Sequence, residues 1–275
     1  MQYLLPMDLH NHSLHSFDGS CTVSAMCEAA VSKGIGVFAL TDHYEVGGFE
    51  DINTDFDASF AQAAKDVSAA KKAFAPGLQL LFGIELGEPL EDVDRAHRAI
   101  AAHPFDFVLG SLHNAPGRRD FYYYDPKDES FQLAYELECY FRGLLDIVHW
   151  GAFDSAAHIT YPFRYIMERK GEPFDFSPWD DYIDAVVKAL AHKGLALEIN
   201  TSGLGKTPPY IMPEARWIKR FREVGGEKIT IGSDAHRTEN VGLGIAAGVS
   251  VAAAAGFRYL CYFSQRKPFY LPIAK

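Results

Sequence analysis

Histidine and carboxylate side chains recur along this chain of 275 residues at spacings that suit a metal ion. His10 and His12 are two residues apart, and Asp234 and His236 repeat that spacing. In an extended strand, alternate side chains point to the same face, so each pair can hold one cation. Imidazole together with carboxylate suits zinc, manganese or iron. The spacing therefore predicts a site for divalent metal ions.

Further candidate side chains stand directly after short apolar runs. Asp42 has a plain alternative role, since an Asp that follows a strand commonly caps the next helix. The joint arrangement is the stronger signal, because packing alone does not explain so many ligand types at successive strand ends. The candidates are His15 and Asp18 in NHSLHSFDG, Asp42 and His43 in TDHYE, Glu85 in GIELGE, His113 in GSLHN, His158 in AAHITYP and Asn200 in LEINTSG.

The elements that must position these side chains alternate along the chain. Nearly continuous apolar runs predict buried parallel strands, and apolar residues at three- and four-residue spacing predict helices between them. The predicted strands cover residues 3–9, 36–40, 78–84, 105–109, 152–157, 195–199, 228–231 and 259–263. The predicted helices cover residues 22–33, 57–74, 90–102, 130–148, 178–192, 212–224 and 239–255.

This alternation predicts βα units of a barrel, in one domain that covers residues 1–275. In such a barrel the ends of all strands lie on one rim, where active sites are built. The candidate ligands would therefore meet there. Residues 110–129 and 163–177 are predicted to be long loops, and long loops in compact domains are often functional. The glycines of GLGIAAG, residues 242–248, favour a close-packed helix start over a phosphate loop.

Composition excludes several classes of function. The net charge of −10 argues against general binding of nucleic acid or anionic membranes, because both require a basic face. We expect neither a signal peptide nor a membrane span. The four cysteines form no CxxC pair, which favours a reducing compartment and predicts a cytoplasmic protein.

At these motifs the chain resembles the PHP (polymerase and histidinol phosphatase) superfamily over essentially its full length. Within it the chain is most similar to monofunctional histidinol-phosphate phosphatases, as AHITYPFRY at 157–165 and YFSQRKPFYLPI at 262–273 also indicate. The resemblance implies a distorted (β/α)7 TIM-like barrel with two or three divalent metal ions (Zn, Mn or Fe). It also implies hydrolysis of L-histidinol phosphate, a step of histidine biosynthesis.

The resemblance further implies three metal sites. Glu85 would bridge the first two. At the third, some members have His where this chain has Asp18. The first site would use His10, His12, Glu85 and Asp234, the second Glu85, His113 and His158, and the third Asp18, His43 and His236.

For catalysis we expect in-line attack on phosphorus by a metal-bridging hydroxide. Arg164, six residues beyond His158, is the candidate for stabilising the transferring oxygens, by placement and by resemblance. The acid that protonates the leaving oxygen stays open among a metal-bound water, His236 and Asp42, which has an alternative role in orienting His43. Candidate substrate contacts are Arg164, His15, Asn200, Arg118, Arg119, Tyr122, Tyr123 and Tyr124.

Two other readings remain open. The same scaffold can serve a phosphoesterase for another phosphomonoester, a nucleotide or a short oligonucleotide, or it can be a metal-binding accessory protein without catalysis. An amidohydrolase-type barrel is less favoured, because many of those bridge their metals with a lysine and no predicted strand ends in Lys here. The expected partner is a small phosphorylated substrate, and the oligomeric state is open.

Overall fold

A computed structural model of the protein describes residues 5–47, 54–115 and 117–273. The strands are β1 Leu5–Asp8, β2 Ile35–Leu40, β3 His43–Glu45, β4 Gln79–Gly87, β5 Phe107–Ser111, β6 Ser155–Ala156, β7 Ala196–Asn200, β8 Ile229–Gly232, β9 Tyr259–Ser264 and β10 Lys267–Pro272. The α-helices are α1 Val23–Ser32, α2 Phe56–Phe74, α3 Val93–Ala102, α4 Leu133–Trp150, α5 Tyr161–Lys170, α6 Asp180–Lys193, α7 Ala215–Glu223 and α8 Ile245–Ala254.

The strands form a nearly closed parallel barrel with helices between them. Neighbouring strands follow the order β1, β2, β4, β5, β6, β7, β8, and the short β3 continues β2 alongside β4. Backbone hydrogen bonds across the remaining gap join Leu9 N to Ile231 O at 2.9 Å and His12 N to Ala235 O at 2.8 Å. Seven strand positions thus surround the barrel, which confirms the predicted α/β fold of the (β/α)7 type.

Local signals in the sequence account for several helix ends. The Thr22 side chain accepts a hydrogen bond from Ala25 N and caps α1, and Gly194 ends α6 with a φ of 65°. Gly244 precedes α8, and a Cβ at Gly248 would lie 2.6 Å from the Ile231 side chain. The glycine stretch is therefore a close-packed helix start, as predicted.

The prediction of a loop over residues 163–177 was wrong for most of that segment. Residues Tyr161–Lys170 form α5, with a proline in the first turn and Gly171 in the left-handed conformation after the last. Both are standard boundary signals, and buried Phe163, Ile166 and Met167 supply the helical spacing. A short 3-10 helix, Ser177–Trp179, follows. The 110–129 connection is largely irregular, with one 3-10 turn at Phe121–Tyr123, and Pro116 lies outside the described residues.

The last predicted strand exists but is not a barrel strand. β9 pairs antiparallel with β10, which the sequence analysis missed because its two prolines and exposed side chains are typical of an edge strand. The β9–β10 turn contacts the barrel through Asp106, whose Oδ1 accepts from Gln265 N at 3.0 Å, and through an ion pair between Arg266 and Asp154. The hairpin is therefore fastened to the loops that lead into β5 and β6.

Two further differences concern the strand ends. Residues 3 and 4 of the first predicted strand lie outside the described residues, and β6 is only two residues long where residues 152–157 were predicted.

Within the described part of the chain, no helix combines the length and the apolarity that crossing a membrane requires.

Candidate metal centre

Six histidines and three carboxylates converge at the ends of the barrel strands. Most of their side chains are buried, and the ligand atoms fall into groups within which all atoms lie at most 4.8 Å apart. Among the described residues, four groups consist entirely of predicted ligands: His10, His12 and Asp234; His10, Glu85 and His158; His43, Glu85 and His113; and His12, Asp18, His43 and His236. A fifth group combines His113 with Glu45 and Glu88. The structure thus brings together all nine side chains that the sequence analysis proposed as ligands.

Glu85 lies at the centre of this arrangement. Its Oε2 is 3.0 Å from His10 Nε2 and 3.4 Å from His12 Nε2. Its Oε1 is 2.9 Å from His158 Nε2 and 3.3 Å from His113 Nε2. The two carboxylate oxygens therefore face different imidazoles, so Glu85 could bridge two cations.

A third group lies nearer the solvent. Asp18 Oδ2 is 3.0 Å from His236 Nε2 and 3.8 Å from His43 Nε2, and the Asp18 side chain is 40% exposed. The His12 ring stacks between the others, with centroids 4.4 Å from His43 and 4.1 Å from His236. His12 therefore borders both the first predicted site and the third, a sharing that the sequence did not indicate.

The imidazoles are oriented for ligation by partners on their far nitrogens. His10 Nδ1 is 2.7 Å from Glu198 Oε1, and His12 Nδ1 is 3.0 Å from Ser16 Oγ. An acceptor on Nδ1 fixes the tautomer that leaves Nε2 free to bind a metal. His12 Nε2 is buried and makes no hydrogen bond to any described residue, while Glu85 Oε2 and Asp234 Oδ1 each lie 3.4 Å from it. These donor atoms fit a metal centre.

The backbone is strained at two of the ligand positions. His158 has a φ of 27° and Asp234 a φ of 54°, in the region that non-glycine residues rarely adopt. Strain of this kind costs about 1–3 kcal/mol per residue and is found mainly at functional sites. Both residues follow barrel strands, so the strain turns their side chains toward the centre.

The electrostatics of the cluster are those of a site built around positive charge. Burial opposes ionisation of Glu85, but His43 and His10 hold the pKa of its carboxyl well below the usual range. Burial likewise opposes protonation of His43, yet Glu85 and Asp18 raise the pKa of His43 to about 10. Burial and the neighbouring His236 and His43 lower the pKa of His12 to about 3. The carboxylates stay ionised and require cations, whether protons or metal ions, beside them.

Sequence analysis missed three buried glutamates that support the ligands. Glu45 Oε1 is 2.8 Å from His43 Nδ1, and Glu88 Oε1 is 3.5 Å from His113 Nδ1. Burial and the Glu45 carboxylate raise the pKa of Glu88 to about 8. Glu198 contacts His10, as described above. All three lie within motifs already singled out, TDHYE, GIELGE and LEINTSG. For Glu45 and Glu88 the available signal was their closeness in sequence to His43 and Glu85, whereas LEINTSG contains no predicted ligand.

Asp42 lies beneath the loop that follows β1. Its carboxylate accepts hydrogen bonds from Ser13 N at 2.6 Å and from the hydroxyls of Ser13 and Ser16, both at 3.0 Å. Ser16 Oγ in turn accepts from His43 N at 3.0 Å. Among the described residues, Asp42 caps no helix, and the next helix, α2, is capped by Asp55. Asp42 thus holds the loop between His12 and His43.

Arg164 and Asn200 lie beside Asp234. Arg164 Nη1 donates to Ser202 Oγ at 2.7 Å and is 3.8 Å from Asp234 Oδ2, while Nη2 donates to the Tyr165 hydroxyl. Asn200 Nδ2 lies 3.4 Å from the same Asp234 oxygen. A guanidinium with bidentate capacity therefore stands at the edge of the ligand cluster.

Other predicted substrate contacts are engaged elsewhere. His15 Nε2 is 2.9 Å from Asp66, and among the described residues His15 joins none of the ligand groups. Arg118 pairs with Glu136 at 3.3 Å and Arg119 with Asp128 at 3.1 Å. The loop tyrosines divide: Tyr122 and Tyr123 are about half exposed, whereas Tyr124 is buried. The substrate roles of these residues stay predictions.

Comparison with known proteins agrees with this geometry. A family model for the PHP domain matches residues 8–202. A protein of Clostridium acetobutylicum named "Probable histidinol-phosphatase" is 32% identical over 248 residues, covering 86% of this chain and 88% of that protein. The histidinol-phosphatase of Lactococcus lactis is 27% identical over 267 residues, covering 95% of both chains.

A solved structure extends the likeness to the fold. The crystal structure of histidinol phosphate phosphatase from Lactococcus lactis, complexed with zinc, L-histidinol and phosphate, superposes with a TM-score of 0.82 at 25% identity. The match covers 96% of this chain and 98% of that one. The family match, the fold and the converging ligands agree, and the chain belongs to the PHP domain family.

Proposed function

We propose that this chain is a metal-dependent phosphatase that hydrolyses L-histidinol phosphate to L-histidinol and phosphate. In this reaction a water oxygen forms a bond to phosphorus as the bond from phosphorus to the histidinol oxygen breaks. The relatives that match most of the chain are named for this activity. The similar Lactococcus lactis structure contains zinc and both products.

The position of Glu85 carries the proposal. One oxygen faces His10 and His12 and the other faces His113 and His158, so a single carboxylate can join two metal ions. Such ions, when bound, lower the pKa of water and neutralise charge on the phosphoryl oxygens. We assign His10, His12, Glu85 and Asp234 to the first site, Glu85, His113 and His158 to the second, and Asp18, His43 and His236 to the third. Zinc is the proposed metal, with manganese and iron as alternatives.

Arg164 is the proposed contact for the phosphoryl group. It stands beside Asp234, and Ser202 and Tyr165 hold its guanidinium in place. A fixed positive charge at this point stabilises the charge that develops on the transferring oxygens. Asn200, whose Nδ2 lies 3.4 Å from Asp234 Oδ2, is the proposed contact for the substrate amine.

The leaving histidinol oxygen must take up a proton. Of the two side chains considered as acids, Asp42 is 2% exposed and already accepts three hydrogen bonds. The His236 side chain is 27% exposed and lies at the open edge of the cluster. Donation requires access to the substrate, so His236 is the better of the two side chains when the third site holds no metal. When His236 binds that metal, a metal-bound water is the proposed proton donor.

The proposed setting is the cytoplasm. The cysteines Cys21, Cys27, Cys139 and Cys261 are all free, which suits a reducing compartment.

The decisive experiment measures phosphate release from L-histidinol phosphate, other phosphomonoesters and a phosphodiester. The protein is loaded separately with zinc, manganese or iron and compared with protein treated with a chelator. We expect L-histidinol phosphate to be preferred by about 100-fold in kcat/KM, which corresponds to about 2.7 kcal/mol. Equal rates on all phosphomonoesters would reject L-histidinol phosphate as the specific substrate but would leave the proposed phosphatase activity in place. Inactivity of every metal-loaded form would favour a metal-binding accessory protein.

A further inference from the structure

Glu198 is a buried carboxylate at the base of the metal centre, and no proposed site uses it as a ligand. It lies in β7, facing the barrel interior. Its Oε1 is 2.7 Å from His10 Nδ1, and its Oε2 accepts a hydrogen bond from His158 N at 2.8 Å. The two oxygens therefore contact ligands that we assign to different metal ions.

The contact with His10 determines which ring nitrogen carries the proton. An ionised carboxylate offers only acceptors, so the hydrogen of a neutral His10 must lie on Nδ1. His10 Nε2 then presents its lone pair toward Glu85 Oε2, at 3.0 Å, and Asp234 Oδ1, at 3.7 Å. A metal-ligating histidine depends on an outer partner of this kind for its orientation and basicity.

The contact with His158 holds a strained backbone. The φ of 27° at His158 is unfavourable for a side chain with a Cβ, and the surrounding contacts must maintain it. A hydrogen bond from His158 N to a buried carboxylate is one such contact. The same conformation directs His158 Nε2 to Glu85 Oε1, 2.9 Å away.

Space for Glu198 is made by a neighbouring glycine. A Cβ at Gly232, in β8, would lie 2.3 Å from the His10 Cβ and 3.0 Å from Glu198 Oε1. The barrel wall is therefore shaped so that Glu198 and His10 fit side by side. This close fit leaves Glu198 little freedom to move away from His10 and His158.

We propose that Glu198 is the positioning residue that couples the first and second metal sites. One oxygen fixes the ring and tautomer of His10, and the other fixes the backbone that carries His158. This inference rests on the metal centre of the proposed function, but not on the identity of the substrate.

The test compares Glu198→Gln with Thr230→Val. Thr230 is the register partner of Glu198 in β8 and is equally buried. Among the described residues its hydroxyl bonds only Ser155 Oγ, at 2.7 Å. The glutamine side chain presents an NH2 group to either His10 Nδ1 or His158 N, so one of the two contacts is lost. Zinc binding is titrated against a competing chelator, and the visible spectrum of the cobalt-loaded protein is recorded.

We expect Glu198→Gln to weaken one zinc site by about 10–100-fold and to alter the cobalt spectrum, since outer partners have effects of this size. Thr230→Val should keep the affinity and the spectrum of the unmodified protein. Unchanged zinc affinity and cobalt spectrum in Glu198→Gln would overturn the proposal. Failure of the unmodified protein to bind zinc would instead reject the metal centre of the proposed function.

A measurement on the unmodified protein keeps the proposal testable if Glu198→Gln does not fold. Nitrogen-15 spectra of the zinc-loaded protein report the tautomer of each histidine, and the His10 signals are assigned by their loss in His10→Asn. We expect the proton of His10 on Nδ1, in a hydrogen bond. A proton on His10 Nε2 would overturn the positioning role.

Discussion

His43 and Glu85 are register partners in the parallel pairing of β3 with β4, and His43 Nδ1 lies 3.3 Å from Glu85 Oε2. Neighbouring strands of a barrel present paired residues side by side on the same face. The backbone register thus places a histidine of the third proposed site against the carboxylate that we propose to join the other two sites. The barrel itself, rather than a flexible loop, fixes the distance between them.

Replacing Glu85 should therefore disrupt two metal sites at once. We expect Glu85→Gln to lower zinc content by more than one equivalent and to reduce kcat beyond the ~100-fold effect typical of outer-sphere residues. Zinc content and phosphate release are measured on the same preparation. Glu28→Gln, on the exposed face of α1, is the control for loss of one carboxylate. Zinc content equal to that of this control would contradict a bridging role.

The third site should be separable from the other two. Asp18 contacts the cluster at its exposed edge, through His236 and His43. Asp18→Asn should release one equivalent of the most weakly held metal while the remaining equivalents bind with unchanged affinity. Metal analysis after dialysis at a series of free zinc concentrations measures this. Loss of all zinc together would show that the three groups act as one site.

Arg164→Lys tests transition-state stabilisation apart from metal binding. Lysine keeps the charge but lacks the planar fork that Ser202 and Tyr165 hold in place. We expect kcat/KM to fall by about 10²–10³-fold with full zinc content. Arg142→Lys, on the exposed face of α4 beside Glu138, serves as the matched control and should be neutral. A loss of bound zinc in Arg164→Lys that matches its loss of activity would instead assign Arg164 a role in shaping the metal centre.

Strand-end position and two-residue spacing in the sequence were sufficient to predict that the candidate ligands meet at one rim, whereas their division into three sites came from the family resemblance. His10 and Asp234 follow β1 and β8, the strands that close the barrel. The ends of parallel barrel strands lie on one rim, so these two residues are expected to meet without knowledge of side-chain rotamers. Supporting residues were harder to predict. Glu198 and His10 are 188 positions apart, and nothing local in either segment indicates that a carboxylate will meet the far side of that imidazole. Contacts of this kind are determined jointly by how the barrel closes and by the direction in which each side chain points.

Helix α5 shows a different reason for a missed element. Its first turn contains Pro162, and its six buried residues include two tyrosines and a proline, so the segment looked like an aromatic loop. Its helical form depends on packing beside the metal centre, where Tyr161 contacts both His113 and His158 at ring distances of 5.0 and 5.2 Å. Tertiary contacts of this kind outweigh local propensity in short helices.

The hairpin contact at Asp106 should make stability depend on pH. Burial opposes ionisation, but hydrogen bonds from Lys71, Phe82 N and Gln265 N lower the pKa of Asp106 below 3.8. A lowered pKa in the folded state stabilises the protein above pH 3.8, and this contribution is lost as the pH falls through the folded-state pKa. Asp106→Asn should cost about 1–3 kcal/mol near neutral pH.

Urea unfolding of both proteins at several pH values measures this effect. The difference between unmodified protein and Asp106→Asn should stay constant from neutral pH down to about pH 5 and narrow only below the usual Asp pKa. Asp181→Asn, at an exposed position in the first turn of α6, is the control. A difference that does not change with pH would assign the effect to packing instead of to the charge of Asp106.

Gly232→Ala should damage the metal centre by steric pressure alone. The added methyl group would lie 2.3 Å from the Cβ of His10, which is shorter than any real contact of this kind, so β1 or β8 must shift. Overpacking of this type costs about 1–3 kcal/mol, and here the displaced residue is a proposed ligand. We therefore expect a lower melting temperature together with weaker zinc binding. Gly77→Ala is the matched control, because a Cβ there would meet only Phe74 O, at 3.5 Å. If Gly232→Ala lowers stability but binds zinc as tightly as Gly77→Ala, the position of the His10 backbone does not limit metal affinity.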